Sequence, residues 1–203
     1  MSNLFITLTG PSASGKTYLL NELVMRDLVT PVISLTTRKP RAGESHGIEY
    51  YFVSVEEYKE MEAAGELVES ISFNDTFYGT SKQEFKRAMS YGRPLGMVLE
   101  PNGVIHFQHV QHELGFQVVP VFVEADEKLR DSRLASRLLD DITTMRANHV
   151  AEDVQKNMIM KFMSRIKATV VEEHKWKNML EWQLIVPGNN AEAAVEVIKT
   201  LLR

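Results

Sequence analysis

Eight consecutive residues, Gly10-Pro11-Ser12-Ala13-Ser14-Gly15-Lys16-Thr17, carry the densest chemistry in the chain. They fit G-x-x-x-x-G-K-[ST], in which the glycines let the backbone wrap a phosphate chain and aim N–H groups and a helix N-terminus at it. Lys16 can reach the β- and γ-phosphates, and Thr17 can offer its hydroxyl to Mg²⁺. The pattern has meaning only between a strand and a helix, and both flanks are present. Leu4-Phe5-Ile6-Thr7-Leu8-Thr9 reads as a buried strand, and Leu19, Leu20, Leu23 and Val24 recur at helical spacing. A glycine-rich turn matching by accident would lack this setting. The chain is expected to bind a nucleoside triphosphate.

The elements that must position these residues alternate between strand and helix. A strand is expected near Pro31–Leu35, then a polar loop, Thr36 to Glu44, marked by Pro40 and Gly43. Tyr50-Tyr51-Phe52-Val53 reads as a short strand. Ser54-Val55-Glu56-Glu57 and Ser81-Lys82-Gln83-Glu84 read as capping boxes opening helices that close at Gly65 and Gly92. Between them lie a loosely alternating strand, Glu66–Phe73, and an expected turn, Phe77-Tyr78-Gly79-Thr80. Leu95–Leu99 and the valine-rich Gln117–Val123 read as buried strands around a helix that runs to about Leu114. From Leu139 to Met163 the pattern is weak and methionine-rich, with helix expected in its second half, continuing to about Lys177. Trp182–Val186 is a last strand, and Ala194, Val195, Ile198, Leu201 and Leu202 mark an amphipathic terminal helix.

This alternation predicts an α/β fold, a parallel sheet with helices on both faces. The expected organisation is a single domain over 1–203. Its core is 1–35, 90–138 and 166–203, with a small substrate-binding subdomain at about 36–89 and a lid at about 139–165.

Composition narrows the class. The chain has 203 residues, enough for one substantial core, and 44% hydrophobic with 25% charged residues is ordinary for a globular protein. A formal net charge of −4 does not favour a nucleic-acid partner. The absence of cysteine excludes disulfides and Cys-ligated zinc and suits a reducing cytoplasm. There is no signal-peptide pattern at the N-terminus and no apolar run approaching about 20 residues, so neither export nor a membrane span is expected.

Beyond the phosphate loop, the chain resembles the guanylate kinase family. The resemblance rests on Ser34-Leu35-Thr36-Thr37-Arg38-Lys39-Pro40-Arg41-Ala42-Gly43-Glu44, continued by Gly47-Ile48-Glu49-Tyr50-Tyr51-Phe52-Val53-Ser54. Gly65-Glu66-Leu67-Val68-Glu69 and Tyr78-Gly79-Thr80-Ser81 follow at the family spacing, and Arg133-Leu134-Ala135-Ser136-Arg137 is moderately similar. The resemblance implies a P-loop nucleoside monophosphate kinase that moves the γ-phosphoryl group of ATP, with Mg²⁺, onto GMP or dGMP. By motif, Ser34, Arg38, Arg41, Tyr50 and Tyr78 would hold the GMP phosphate. Glu69 would accept from guanine N1–H and the exocyclic amine, with Thr80 beside it. Lys16, Arg41, Arg137 and Arg165 would neutralise charge in transfer, with Arg133 a third lid-side arginine and Arg146 a substitute for either.

The residue chemistry agrees. A phosphate dianion needs fixed cations, and two arginines on a loop stiffened by Pro40 suit bidentate phosphate binding. The acceptor oxygen is already ionised near neutral pH, so alignment and charge neutralisation suffice without a general base.

The chain departs from the family pattern in three places. Arg137 and Arg165 stand farther apart than the family's lid arginines. Val98-Leu99-Glu100-Pro101-Asn102-Gly103 replaces an Asp-x-Asp pair, leaving Glu100 as the remaining acid. Pro187-Gly188-Asn189-Asn190 replaces the Asn-Asp expected after the last strand. Such drift around an intact phosphate loop fits a divergent member, a bacteriophage enzyme in a host cytoplasm being one source, acting as monomer or homodimer. Two other readings compete. One is a kinase for a different deoxy or modified monophosphate, or for a ribose bisphosphate. The other is a catalytically silent interaction module, which the presence of Lys16, Thr17, Arg38 and Arg41 disfavours. His106, His109 and His112 share a helix face, more readily a polar surface than a metal site. Met158, Met160 and Met163 are expected to pack the lid helix, and Trp176 and Trp182 to lie in or near the core.

Overall fold

In chain order the elements are β1 (Leu4–Thr9), α1 (Lys16–Met25), β2 (Thr30–Pro31), β3 (Leu35–Thr36), β4 (Tyr51–Phe52), α2 (Val55–Ala63), β5 (Leu67–Phe73), β6 (Thr76–Ser81) and α3 (Lys82–Met89). They continue with β7 (Leu95–Val98), α4 (Pro101–Leu114), β8 (Gln117–Glu124), α5 (Glu127–Ala147), α6 (Glu152–Trp176), β9 (Leu184–Pro187) and α7 (Ala191–Lys199). This computed structural model describes residues 3–41, 43–73 and 76–202, excluding the side chains of Phe73, Lys161, Arg165, Ala168, Thr169 and Val170.

Five strands form a parallel sheet in the order β2-β7-β1-β8-β9. β1 lies at its centre and is buried along its whole length, as a parallel strand covered on both faces must be. Its alternation divides the core. Leu4, Ile6 and Leu8 pack with Leu19 and Leu23 of α1 and with Ala194, Val195 and Ile198 of α7. Phe5 faces the other way, into Phe85 of α3, Phe107 of α4 and Phe116, with ring centroids 5.8, 5.1 and 5.2 Å away in edge-on contact. The buried hydroxyls of Thr7 and Thr9 donate to Val119 O in β8 and to Leu99 O just past the end of β7.

A second sheet, in the order β4-β3-β6-β5, is mixed. The expected single strand near Pro31–Leu35 is split between the two sheets: β2 pairs with β7, whereas β3 pairs with β4 and β6. At the crossing, the buried carboxylate of Glu84 accepts from Ile33 N (3.0 Å), the Tyr51 hydroxyl (3.2 Å) and Arg87 Nε (2.7 Å). Glu84 is therefore not the reciprocal half of a capping box. Ser81 Oγ caps α3 by accepting from Glu84 N at 3.1 Å, but the Glu84 side chain turns inward. Ser54 and Glu57 do form the full box.

The expected turn at Phe77–Thr80 is instead the strand β6. Its aromatic and threonine residues suit a strand, and Gly79 fits there because a Cβ would lie 2.6 Å from the Tyr58 hydroxyl and 2.8 Å from Glu69 O. The weakly patterned stretch 139–163 is helical in both halves, belonging to α5 and α6 with residues 148–151 between them. Met158, Met160 and Met163 are exposed at 49, 71 and 52%, which corrects the expectation that they pack. Trp176 is buried; Trp182 is half-buried against Phe122 and donates to Lys177 O. The last strand begins at Leu184, later than expected. No helix among the described residues is long and apolar enough to cross a membrane.

Candidate active site

The parallel sheet gathers chemistry at one edge, because the carboxyl ends of neighbouring parallel strands open into the same crevice. β1 ends there in the phosphate loop, β7 in Val98-Leu99-Glu100, and β9 in Pro187-Gly188. A cleft of about 480 Å³ runs from this edge to the second sheet.

On the loop side, Gly15 takes a left-handed φ of 100°, and the first α1 bond runs from Leu19 N to Gly15 O at 2.9 Å. A Cβ at Gly15 would meet Gly188 O at 2.7 Å, so the segment after β9 closes directly on the loop. Lys16 Nζ donates to Gly10 O and Pro11 O at 2.8 Å each, folded back on its own loop. Burial lowers its pKa to about 8, opposed by the nearby Glu173 carboxylate. Ser14 Oγ is buried without a hydrogen-bond partner. Arg133, on α5, donates through Nη1 to Ala13 O at 2.9 Å, and Arg137 one turn later reaches the same cleft. From α6, Glu173 accepts from Ser12 N at 2.9 Å and Ser12 Oγ at 2.6 Å.

The opposite wall comes from the second sheet and its loops. Arg38 donates through Nη1 and Nη2 to Glu44 Oε2 and Oε1 at 2.5 and 2.8 Å. Its guanidinium lies over the rings of Tyr50 and Phe52, 4.9 and 5.5 Å from their centroids. Arg41 is half-exposed, 4.0 Å from Glu44 Oε1. Tyr50 and Tyr78 stand edge to face at 6.2 Å.

Deeper, Glu69 is 5% exposed; its Oε1 accepts from Thr80 Oγ1 at 3.0 Å, and its Oε2 is buried with no partner. Burial raises its pKa to about 7. Glu100 is also raised to about 7, first by burial and then by Glu173 and Glu69. A buried carboxylate oxygen without a donor is costly, and it marks where a ligand donor is wanted.

Of the residues expected from sequence, Ser12, Ala13, Gly15, Lys16, Thr17, Ser34, Arg38, Arg41, Tyr50, Glu69, Tyr78, Glu100 and Arg137 line this single cleft. Gly10, Pro11 and Ser14 shape the loop from behind, and Thr80 sits behind Glu69. Arg146 is exposed away from the cleft, and the Arg165 side chain lies outside the described residues. Sequence reasoning missed Glu173, Trp176, Tyr18, Ile71 and Leu99 as lining residues. Nothing local to Glu173 announces it, since its partner Ser12 is 161 positions away. His106 Nε2 lies 3.0 Å from Val68 O, and no group of His, Cys, Asp or Glu among the described residues is placed to hold a metal.

Residues 2–203 match the family model described as guanylate kinase. A guanylate kinase of Thermosynechococcus vestitus is 34% identical over 169 residues, covering 76% of this chain and 88% of that one. One of Koribacter versatilis is 30% identical over 206 residues, covering 100% of this chain and 78% of that one. The crystal structure of guanylate kinase from Anaplasma phagocytophilum aligns with 100% of this chain and 85% of its own, with a TM-score of 0.65 and 20% identity, a likeness of fold.

Proposed function

The chain belongs to the guanylate kinase family, and from that premise we propose how its residues divide the work of moving the ATP γ-phosphoryl group to GMP, giving GDP and ADP. ATP lies along the Gly10–Thr17 loop, its phosphates taking N–H groups and the α1 N-terminus. Lys16 leaves the carbonyls of Gly10 and Pro11 to meet the β- and γ-phosphates. Thr17, half-buried at the start of α1, would offer its hydroxyl to a Mg²⁺ ion bound with the nucleotide, and that ion would supply further neutralisation of phosphate charge.

GMP or dGMP enters from the second sheet. Its phosphate is held by Arg38, Arg41, Ser34, Tyr50 and Tyr78, Arg38 being pre-aimed by Glu44 and the Tyr50 ring. Arg41 and Arg137, on opposite walls of the cleft, bring positive charge to the two facing phosphates. We assign the unit around the second sheet, at about 36–89, to monophosphate binding and the stretch at about 139–165, which takes in the end of α5 and the start of α6, to the closing lid, which excludes water during transfer.

The observation that carries the base assignment is Glu69. Its unpaired Oε2 asks for a donor, and guanine offers two on one edge, N1–H and the exocyclic amine, whereas adenine presents an acceptor at N1. The test is Glu69→Gln. Its amide nitrogen would face a guanine donor, and kcat/KM for GMP should fall about 100-fold or more while ATP affinity stays within about twofold. Unchanged GMP use would remove Glu69 from base recognition.

A further inference from the structure

Glu173 sits near the end of α6, 4% exposed, and its two carboxylate oxygens take the Ser12 N–H and hydroxyl. The third residue of a phosphate-binding loop thus spends both of its donors on the chain's own anion. Lys16 is satisfied separately, on the carbonyls of Gly10 and Pro11, and forms no ion pair with Glu173 among the described residues. The donors of Ser12 and the loop cation are thus both taken by groups of the chain itself.

We propose that Glu173 is an internal competitor for the terminal phosphate of the nucleotide, a carboxylate that holds the mouth of the loop and must yield when a γ-phosphate arrives. This rests on the nucleotide-binding reading of the loop. A buried carboxylate and a phosphate oxygen around one loop repel strongly, because little water intervenes to screen them. The repulsion falls mainly on the γ-phosphate, the group that distinguishes ATP from ADP. Glu173 therefore acts as a specificity-determining residue that narrows the preference for ATP over ADP. A structural pin between α6 and the loop would instead support both nucleotides alike.

The experiment measures dissociation constants of Mg–ATP and Mg–ADP for the full chain without GMP, in unaltered protein and in Glu173→Gln. Glutamine keeps the reach and one accepting oxygen but removes the charge. The ratio of the ADP to the ATP constant should rise about threefold or more, driven by tighter ATP. Should the glutamine variant not fold, Glu173→Asp carries the test: one methylene shorter, it withdraws from Ser12, and the ratio must still rise, by less. An unchanged ratio in a variant with native circular dichroism, or equal weakening of both nucleotides, would overturn the proposal. Failure of the unaltered chain to bind either nucleotide would overturn the nucleotide reading and this inference with it.

Discussion

Glu69 shows what a residue alone reveals and what only its surroundings do. Its place in Gly65-Glu66-Leu67-Val68-Glu69 suggested base recognition, but not that one oxygen would be paired to Thr80 and the other left open. Burial holds its pKa at about 7, so protonation below that value removes the acceptor that guanine needs. KM for GMP should rise about tenfold per pH unit once pH falls below about 7, while KM for ATP changes little; steady-state kinetics across that range checks it. Stability should move the opposite way. The folded chain takes protons on Glu69 and Glu100 at about 7, the unfolded chain only near 4.5, so this contribution to stability grows as pH falls through that window. Urea titrations on either side of pH 6 give the sign, and a stability falling in step with GMP affinity would contradict it. Arg38 was legible as a cation on a rigid loop. Its bidentate hold by Glu44 was not, since either residue read singly is a solvated charge.

Elements were legible where periodicity or capping chemistry was strong. β1, α1, α4 and β8 stand close to where their apolar patterns put them. Misreadings fell where a tertiary contact outweighed local preference. Ser81-Lys82-Gln83-Glu84 has the spacing of a capping box, yet Glu84 gains more by joining Ile33, Tyr51 and Arg87 at the crossing between sheets. Glu84→Ala should cost about 3 kcal/mol, because it removes at once the acceptor shared by Ile33 N–H, the Tyr51 hydroxyl and the Arg87 guanidinium, whereas Ser81→Ala should cost about 1 kcal/mol, a lost cap. Chemical denaturation of both variants separates the two roles, and equal costs would reduce Glu84 to a helix-end residue. The methionines of α6 carry the complementary lesson. A methionine-rich helix invites a packed reading, but which face is covered depends on neighbours that sequence spacing does not name.

At the scale of the molecule, alternation of strand and helix sufficed for a parallel sheet covered on both faces, and the five-stranded sheet has that form. Strand order was beyond the sequence, and it is the order that brings the ends of β1, β7 and β9 together as one wall of the cleft. Glu173 and Gly188 entered the site through that assembly, each touching the phosphate loop from far along the chain.

The most direct measurement is phosphoryl transfer itself. ATP and Mg²⁺ are incubated with the unaltered chain and, in turn, with GMP, dGMP, AMP, CMP, UMP and dTMP, and products are followed by phosphorus NMR, with Lys16→Ala beside each. ADP and a guanosine diphosphate should form in equal amounts with GMP and dGMP alone, and the rate should fall about 100-fold or more in the variant, which lacks the cation facing the transferred group. Transfer to another base would overturn the role given to Glu69. Transfer undiminished in Lys16→Ala would contradict the placement of ATP on the Gly10–Thr17 loop.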